Sequence, residues 1–243
     1  YELFLDDKGE KISKSKGNGI TIEEWLKYAS PESLSLYMYQ NPQRAKKLYH
    51  EVVPKAVDEY LDCIEKYETQ ESLKKISNPV WHVHNGIPPS EKMIMSFSML
   101  LNLVGTSNAS SKELLWKFVK KYKKNIKEKE NPIFDQLINY AIKYFNDVVK
   151  LNKKFKKPNQ EEKLALNNLA EKLRECNESM SPEAIQTIVY SVGKENGYKE
   201  NLRDWFKMIY EVIFGDENGP RLGFFISFFG VKETIDLIKN KIK

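Results

Sequence analysis

The chain has 243 residues, with 39 Lys and Arg against 34 Asp and Glu, which gives a net charge of +5. A hydrophobic fraction of 41% beside a charged fraction of 30% is typical of a globular protein with a buried core. No apolar run reaches the roughly 18 to 20 residues of a membrane-spanning helix, and the first residues lack a signal-peptide pattern. We therefore expect no membrane segment and a cytoplasmic location.

The two cysteines, Cys63 and Cys176, lie far apart and belong to no Cys-x-x-Cys pair. This spacing argues against a disulfide framework and against a structural zinc site. We expect both thiols to be small buried hydrophobic groups. No residue is assigned to a metal.

The first predicted element is a short strand over residues 1–6, followed by turn residues at Asp6-Asp7-Lys8-Gly9. A single strand is not stable alone, and the chain hardly offers it a partner because almost everything after residue 20 reads as helix. We therefore expect the sequence to start inside a domain whose remainder is missing.

Residues 11–18, KISKSKGN, form the segment that we call the basic loop. Phosphate binding needs cations that approach closely, free backbone N–H groups and small side chains, and Lys11, Ser13, Lys14, Ser15 and the glycine after Lys16 provide all three. A solvated basic turn is the alternative interpretation.

Helix starts then follow one another along the chain, which predicts a mainly α-helical body, a helical bundle or α-helix cage. The predicted starts are the capping boxes Thr21 with Glu24 and Ser110 with Glu113, and the cap-then-proline pairs Ser30-Pro31, Asn41-Pro42, Asn131-Pro132 and Ser181-Pro182. Helix ends are predicted at Gly105, Gly215 and Gly230, and the chain breaks into loops at residues 85–90 and 156–160.

Lysines cluster in residues 117–129 and 150–157, and such clusters attract a phosphate backbone whatever its sequence. The alternative is an ordinary solvated helix surface. Trp81 beside His82 and His84 offers an aromatic surface for an unpaired base, although a turn packed by Trp81 explains it equally. Arg221 and Phe224 offer planar groups near the C-terminus. Four further aromatic residues are assigned to the core, namely Trp116, Trp205, Phe145 and Phe155.

The basic loop resembles the KMSKS signature of class I aminoacyl-tRNA synthetases, with Ile12 in place of Met. The flanking stretches ITIEEWLKYASPESL, NPVWHVHNG, SFSMLLNLV and GPRLGFFISFFG resemble the class I lysyl-tRNA synthetases in their bacterial form. This resemblance implies lysine activation with ATP and Mg²⁺, followed by transfer to tRNA(Lys). It implies no stable protein partner.

The resemblance also implies a domain order. Residues 1–20 would end a Rossmann catalytic domain, residues 21–88 would contact the tRNA stem, and residues 89–243 would form a helical anticodon-binding domain. The sequence contains no HIGH motif of the family. The stretch HVHNG at residues 82–86 is not that motif, because it lies among helices rather than after a first strand. We therefore expect the segment to be inactive alone.

By analogy with the family, Lys14 carries most of the catalytic work and Lys11 assists, while Ser13 and Ser15 shape the loop or touch phosphate. Candidate tRNA contacts are Lys120, Lys124, Lys153, Lys154, Trp81, Arg221 and Phe224. Two alternatives stay open: a non-catalytic helical RNA-binding module, and another class I synthetase such as a cysteinyl enzyme.

Overall fold

The computed structural model describes residues 3–13, 15–107, 111–177 and 180–243. Within these residues the protein is mainly α-helical, which confirms the predicted fold class. Three predictions fall at least partly outside them: the catalytic role of Lys14, the cap at Ser110 and the first two residues of the predicted strand. The cap observed at the start of the corresponding helix is the neighbouring Ser111, whose hydroxyl accepts from Leu114 N at 3.4 Å.

The chain divides into two compact units. The first unit runs to Leu100 and also includes Glu128–Tyr144, and the second unit consists of Leu101–Lys127 and Phe145–Lys243. The predicted domain boundaries at residues 20 and 88 remain predictions.

A two-stranded parallel sheet opens the first unit. Strand β1 (Phe4–Leu5) pairs with β2 (Lys46–Lys47), in the register Phe4 with Lys46 and Leu5 with Lys47. The expectation that the chain hardly offers a partner strand was therefore wrong. The partner is short and lysine-rich, so it carried no apolar alternation that would predict a strand.

Asn41-Pro42 was predicted to start a helix, and it does not. Asn41 has a φ of +47°, and Arg44 N donates to Asn41 O at 3.1 Å, so these residues form a turn. The turn leads directly into β2. No helix forms after Pro42 because the residues that follow lack the apolar periodicity that a helix would bury.

Two helices of the first unit start where their cap residues predict. Thr21 and Glu24 form a complete capping box at the start of α1 (Ile22–Tyr28), and the Ser30 hydroxyl accepts from Ser33 N at 3.2 Å before α2 (Pro31–Tyr39). The other helices in the first unit are α3 (Val52–Thr69), α4 (Ser72–Lys75), α5 (Pro79–Val83), the start of α6 (Phe97–Ser107), a 3-10 helix (Glu128–Glu130) and α8 (Pro132–Tyr144), which follows α7 (Lys112–Tyr122) in the chain.

The core of the first unit forms where α2, α3 and α5 pack together and where α1 packs on α8. Trp25, Leu36 and Ile64 are fully buried there, as are Phe97 and Phe134. The Trp25 indole N–H donates to the Ser33 hydroxyl at 3.3 Å, so its polar atom has a partner.

The second unit is built from the remaining helices. They are α7 (Lys112–Tyr122), a π-helical turn at Phe145–Val149, α9 (Lys150–Asn152), α10 (Gln160–Arg174), α11 (Pro182–Gly193), a π-helical turn at Lys194–Tyr198, α12 (Leu202–Ile213), α13 (Leu222–Phe229) and α14 (Val231–Ile242). Helix α13 packs on α11 and α7, and α10 packs on α14. Ser181 caps α11 as predicted, with its hydroxyl accepting from Ala184 N at 3.2 Å.

The predicted helix ends at Gly215 and Gly230 are confirmed, with φ values of +68° and +112°. Gly105 does not end a helix, because it lies inside α6. A Cβ on Gly105 would lie 2.8 Å from the Phe145 ring, so this glycine admits a close aromatic contact.

The assignment of aromatic residues to the core is confirmed for Trp116, Trp205 and Phe145, which are 1%, 0% and 8% exposed. It is wrong for Phe155, which is 47% exposed and carries the ammonium group of Lys241 over its ring at 3.3 Å from the centroid. The expectation for the cysteines also changes: Cys63 and Cys176 are unpaired and only half-buried, and burial raises the pKa of each thiol. Among the described residues, no helix is both long and apolar enough to cross a bilayer.

Candidate nucleotide-binding and RNA-binding residues

The basic loop grows out of a small hairpin at the start of the chain. Ile12 N donates to Phe4 O at 2.9 Å, and Asp6 N donates to Glu10 O at 2.9 Å. The turn between the two arms has Gly9 at φ +83°, a backbone conformation that suits glycine. The hairpin therefore fixes the residue at which the loop begins.

The buried carboxylate of Asp6 organises that turn. Its Oδ1 accepts from Lys8 N at 3.0 Å and from Glu10 N at 2.7 Å. Burial alone would raise the pKa of the Asp6 carboxyl, but the hydrogen bonds from Asn18, Glu10 and Lys8 together lower it below its ordinary value. Asp6 is thus an ionised acceptor at neutral pH.

The other end of the basic loop is tied to the body of the first unit. Ile20 is buried and its N–H donates to Leu48 O at 3.2 Å. A Cβ on Gly19 would lie 2.6 Å from the Ile12 side chain, so the two ends of the loop meet closely. The Ile12 side chain packs where the two ends of the loop meet.

Within the basic loop, Ser13 is the centre of the hydrogen bonds. The Ser13 carbonyl accepts from Lys16 N at 3.2 Å and from Gly17 N at 3.1 Å, and the Ser13 hydroxyl lies 3.4 Å from the Ser15 hydroxyl. Gly17 has a φ of +60°, which lets the chain turn back. The chain therefore turns back tightly between Ser13 and Gly17.

The described lysines of the basic loop, Lys11 and Lys16, are exposed to solvent. Ser15 is also exposed, and Ser13 is half-buried. Lys16 pairs with Glu10 at 3.3 Å, and both side chains of this pair are about 60% exposed, so the pair contributes little to stability. The structure thus brings Lys11, Ser13 and Ser15 together on one exposed turn.

Several lysines of the predicted clusters are engaged inside the second unit. Lys121 pairs with Glu233 at 3.0 Å, and Lys156 pairs with Glu162 at 2.7 Å. Hydrogen bonding to Glu162 raises the pKa of Lys156. These two ammonium groups already have carboxylate partners, which weakens them as contacts for a phosphate.

Lys120 and Lys124 are exposed, at the end of α7 and just beyond it. Lys124 lines a groove of about 890 Å³ together with Tyr122, Arg174 and Lys239. The groove also contains acidic groups, among them Glu233 and Asp236. Its charge is therefore mixed, with the basic side chains in excess.

Lys153 differs from its exposed neighbour Lys154, because it is half-buried. The Lys153 ammonium group lies over the Phe145 ring at 5.3 Å from the centroid. Burial lowers the pKa of Lys153 to about 8, although Asp216 acts in the opposite direction. Lys154 is the better placed of the two to meet a partner in solvent.

Trp81 is half-buried on α5 and meets His82 edge to face, with ring centroids 4.9 Å apart. One ring nitrogen of each nearby histidine has a partner: His82 Nε2 lies 2.9 Å from Ile76 O, and His84 Nε2 lies 2.9 Å from the Tyr60 hydroxyl. This geometry fits the packed turn that we considered as the alternative for these residues.

Arg221 is exposed at the start of α13, and Phe224 is half-buried one turn later. The Phe224 ring meets Tyr122 at a centroid distance of 5.9 Å, which brings the start of α13 near the end of α7. Arg221 is therefore open to solvent, whereas Phe224 already has an aromatic neighbour.

Residues Asp6, Asn18 and Lys46 were not predicted to have a role in the site. Lys46 is buried, and its ammonium group donates to Tyr37 O at 2.7 Å and to Gln40 O, the carbonyls at the end of α2. A lysine in a polar stretch gives no sign of such burial. Asn18 is the last letter of KISKSKGN, so its position alone could have been a signal.

Among the described residues, no group of three or more His, Cys, Asp and Glu side chains is arranged to hold a metal ion. Magnesium commonly reaches ATP-using proteins on the phosphates, with few protein ligands.

Comparison with known proteins agrees with the resemblance of the basic loop to class I aminoacyl-tRNA synthetases. The family described as tRNA synthetases class I (K) matches residues 1–87. The chain is 45% identical over its full length to a lysine--tRNA ligase of Rickettsia felis and 46% identical to that of Rickettsia peacockii, covering 46% and 47% of those proteins. It is 46% identical over 98% of its length to the lysine--tRNA ligase of Roseobacter denitrificans, covering 45% of it.

The hairpin, the basic loop and the helices that follow match a segment of a class I aminoacyl-tRNA synthetase. More particularly, the chain is similar along nearly its whole length to part of lysine--tRNA ligases. The chain spans about half the length of the curated relatives that it matches.

Proposed function

We propose that this chain supplies the ATP-contacting loop and the tRNA-binding helices of a lysine--tRNA ligase. The observation that carries the proposal is the exposed, glycine-closed turn that presents Lys11, Ser13 and Ser15 on a rigid hairpin base. The names and the full-length identity of the relatives favour lysine over cysteine as the amino acid. The substrates are ATP with Mg²⁺, lysine and tRNA(Lys), and the location is cytoplasmic.

In the proposed reaction, the lysine carboxylate attacks the α-phosphate of ATP, and the bond to pyrophosphate breaks. Negative charge grows on the departing oxygens as that bond lengthens. Ammonium groups that meet those oxygens only in the transition state lower the barrier. Lys14 and Lys11 take this role in our proposal, and Ser13 and Ser15 shape the loop or touch phosphate.

Residues 1–20 are proposed to belong to the catalytic domain, residues 21–88 to the stem-contacting part and residues 89–243 to the anticodon-binding part. The tRNA contacts proposed are Lys120, Lys124, Lys153, Lys154, Trp81, Arg221 and Phe224. Exposure of the whole residue supports Lys120, Lys124, Lys154 and Arg221 more than it supports the half-buried Lys153, Trp81 and Phe224.

The catalytic part is tested by lysine-dependent ATP–pyrophosphate exchange in a protein in which a lysine--tRNA ligase Rossmann domain precedes this chain. Lys14→Ala should lower the rate by roughly 100-fold or more, since it removes a charge that acts in the transition state. Lys27→Ala, an exposed lysine on α1, is the matched control and should leave the rate unchanged. An unchanged rate in Lys14→Ala would contradict the catalytic role.

RNA binding is tested with this chain itself and tRNA(Lys) across a range of salt concentrations. Each phosphate contact contributes about 0.9 to the slope of log affinity against log salt, so Lys120→Ala with Lys124→Ala should reduce the slope by about 2. Lys194→Ala with Lys199→Ala, two exposed lysines outside the clusters, is the control. Binding that does not depend on salt would show that the clusters are only solvated surface.

A further inference from the structure

Asn18 joins the two ends of the basic loop through its side-chain amide. Asn18 Oδ1 accepts from Ser13 N at 3.1 Å, and Asn18 Nδ2 donates to Lys11 O at 3.3 Å. The same Nδ2 donates to Asp6 Oδ2 at 2.7 Å, and this is the shortest of the three contacts. One side chain therefore links the hairpin turn, the start of the loop and its end.

Asp6 cannot follow the loop if the loop moves. Its other oxygen is held by two backbone N–H groups, those of Lys8 and Glu10, at 3.0 and 2.7 Å. The Asp6 carboxylate is also buried. If Asn18 moved away, this charged acceptor would lose the hydrogen bond that Asn18 Nδ2 donates to it. Asp6 is the fixed end of the contact, and Asn18 is the end that the loop carries.

The contact limits how the basic loop can move. Ser13, whose carbonyl already accepts from Lys16 N and Gly17 N, is held at its own N–H by Asn18. The turn that closes at Gly17 is thus held in place at its start through Ser13. A small displacement of a group that acts in the transition state has a large effect on rate.

We propose that Asn18, held by Asp6, is a positioning residue for adenylate formation. It does not touch ATP. It holds Ser13 against the hairpin so that the cations of the basic loop reach the departing pyrophosphate. This inference rests on the proposed function, because it assigns a role within that same reaction.

The proposal makes a specific kinetic statement. Loss of the contact leaves the charges of the loop in place, so attraction of ATP in the ground state changes little. What is lost is the placement of those charges in the transition state, which lowers kcat rather than raising KM.

The test uses the protein in which a lysine--tRNA ligase Rossmann domain precedes this chain, in four versions: wild type, Asn18→Asp, Asp6→Asn, and the double variant in which the two side chains are swapped. Asn18→Asp sets a second carboxylate against Asp6 and removes the donor. We expect it to lower kcat of lysine-dependent ATP–pyrophosphate exchange by about 10- to 100-fold, with a change in the KM for ATP of less than about 3-fold. The double variant, in which the two side chains are swapped, restores one donor and one acceptor. Its kcat should be at least about 5-fold higher than that of Asn18→Asp alone.

Asn85→Asp is the matched control, since it adds the same charge at an exposed turn of the same unit. It should leave both kinetic constants unchanged. If Asn18→Asp keeps the wild-type kcat, or if the double variant recovers nothing, the positioning role is overturned.

Amide hydrogen exchange in the chain itself separates this inference from the proposed function. The Ser13 amide should exchange at least about 10-fold faster in Asn18→Ala, which removes the oxygen that accepts from Ser13 N, than in wild type, whether or not the protein activates lysine. An unchanged Ser13 amide would overturn the contact. A wild-type protein with a protected Ser13 amide but no lysine-dependent exchange of pyrophosphate would instead overturn the proposed function.

Discussion

Asp58 on α3 caps helix α6 from 39 residues away, with Asp58 Oδ1 accepting from Phe97 N at 2.6 Å. Its second oxygen accepts from Ser98 N at 3.2 Å and from the Ser98 hydroxyl. The first N–H groups of a helix have no partner inside that helix. A carboxylate placed there accepts from them and is also attracted by the positive end of the helix dipole. One side chain therefore ties α6 to α3.

We expect Asp58→Ala to lower the free energy of unfolding by about 1–3 kcal/mol, because two backbone N–H groups lose their acceptor. Chemical denaturation measures the change. Asp62→Ala is the control, since Asp62 is an exposed residue one turn along the same helix and its loss should be within about 0.5 kcal/mol of neutral. Equal effects of the two variants would contradict the assigned role of Asp58.

Lys46 makes a second prediction about stability. Its ammonium group is buried on β2 and donates to the Tyr37 and Gln40 carbonyls. Lys46→Met keeps the length of the side chain and removes the donors, so two carbonyls at the end of α2 lose a charged partner. The expected cost is about 1–3 kcal/mol in the free energy of unfolding.

Lys47→Met is the matched control for Lys46, because Lys47 is the next residue of the same strand and is exposed. It should change stability by less than about 0.5 kcal/mol. A Lys46→Met protein that is as stable as wild type would show that the ammonium group contributes nothing net to the fold.

The starts of helices were predictable from sequence because their signals are local. Thr21 with Glu24, Ser30 before Pro31 and Ser181 before Pro182 each place a cap acceptor next to the N–H group that needs it. The same letters failed at Asn41-Pro42, where no apolar stripe follows that a helix could bury. A cap signal predicts a helix only when packing supports it.

Features that depend on contacts across the chain were not predictable in this way. Gly105 was predicted to end a helix, but its lack of a side chain instead makes room for the Phe145 ring, 40 residues later in the chain. The basic loop was predicted from its own letters, whereas the contact of Asn18 with Asp6 depends on how the hairpin folds. The spacing of residues in the sequence identifies a loop, but it does not reveal the contacts from elsewhere in the fold that hold the loop in place.

Gly223 on α13 provides a prediction about helix packing in the second unit. A Cβ there would lie 2.1 Å from Pro182 O and 2.8 Å from the Gln186 side chain, on α11. Gly223 N also donates to Gln186 Oε1 at 2.7 Å in the buried interface. The two helices approach so closely that only glycine fits.

We expect Gly223→Ala to lower the free energy of unfolding by about 1–3 kcal/mol, although alanine favours a helix by nearly 1 kcal/mol over glycine. Ser227→Ala, one turn further along α13, is the control and should cost less than about 1 kcal/mol. Thermal and chemical unfolding both report the difference. A stabilised Gly223→Ala protein would show that α11 and α13 can separate without loss.

Lys153 gives the prediction about pH. Burial lowers the pKa of its ammonium group to about 8, whereas an unfolded lysine titrates near 10.5, and Asp216 and Lys241 are the charged groups that act on it. Between these two pH values the unfolded chain binds more protons at this position than the folded chain does. The contribution of Lys153 to stability must therefore rise as the pH increases from about 8 to about 10.5.

Lys153→Met removes this titration while keeping an apolar contact with Phe145. The difference in unfolding free energy between wild type and Lys153→Met should change with pH between about 8 and 10.5, with wild type gaining relative to the variant, and be constant below about pH 7. Lys154→Met, an exposed neighbour, should show a constant difference over the whole range. Because tyrosines also titrate at high pH, only the difference between paired proteins is informative, and a flat difference for Lys153→Met would mean that its ammonium group is solvated in the folded protein.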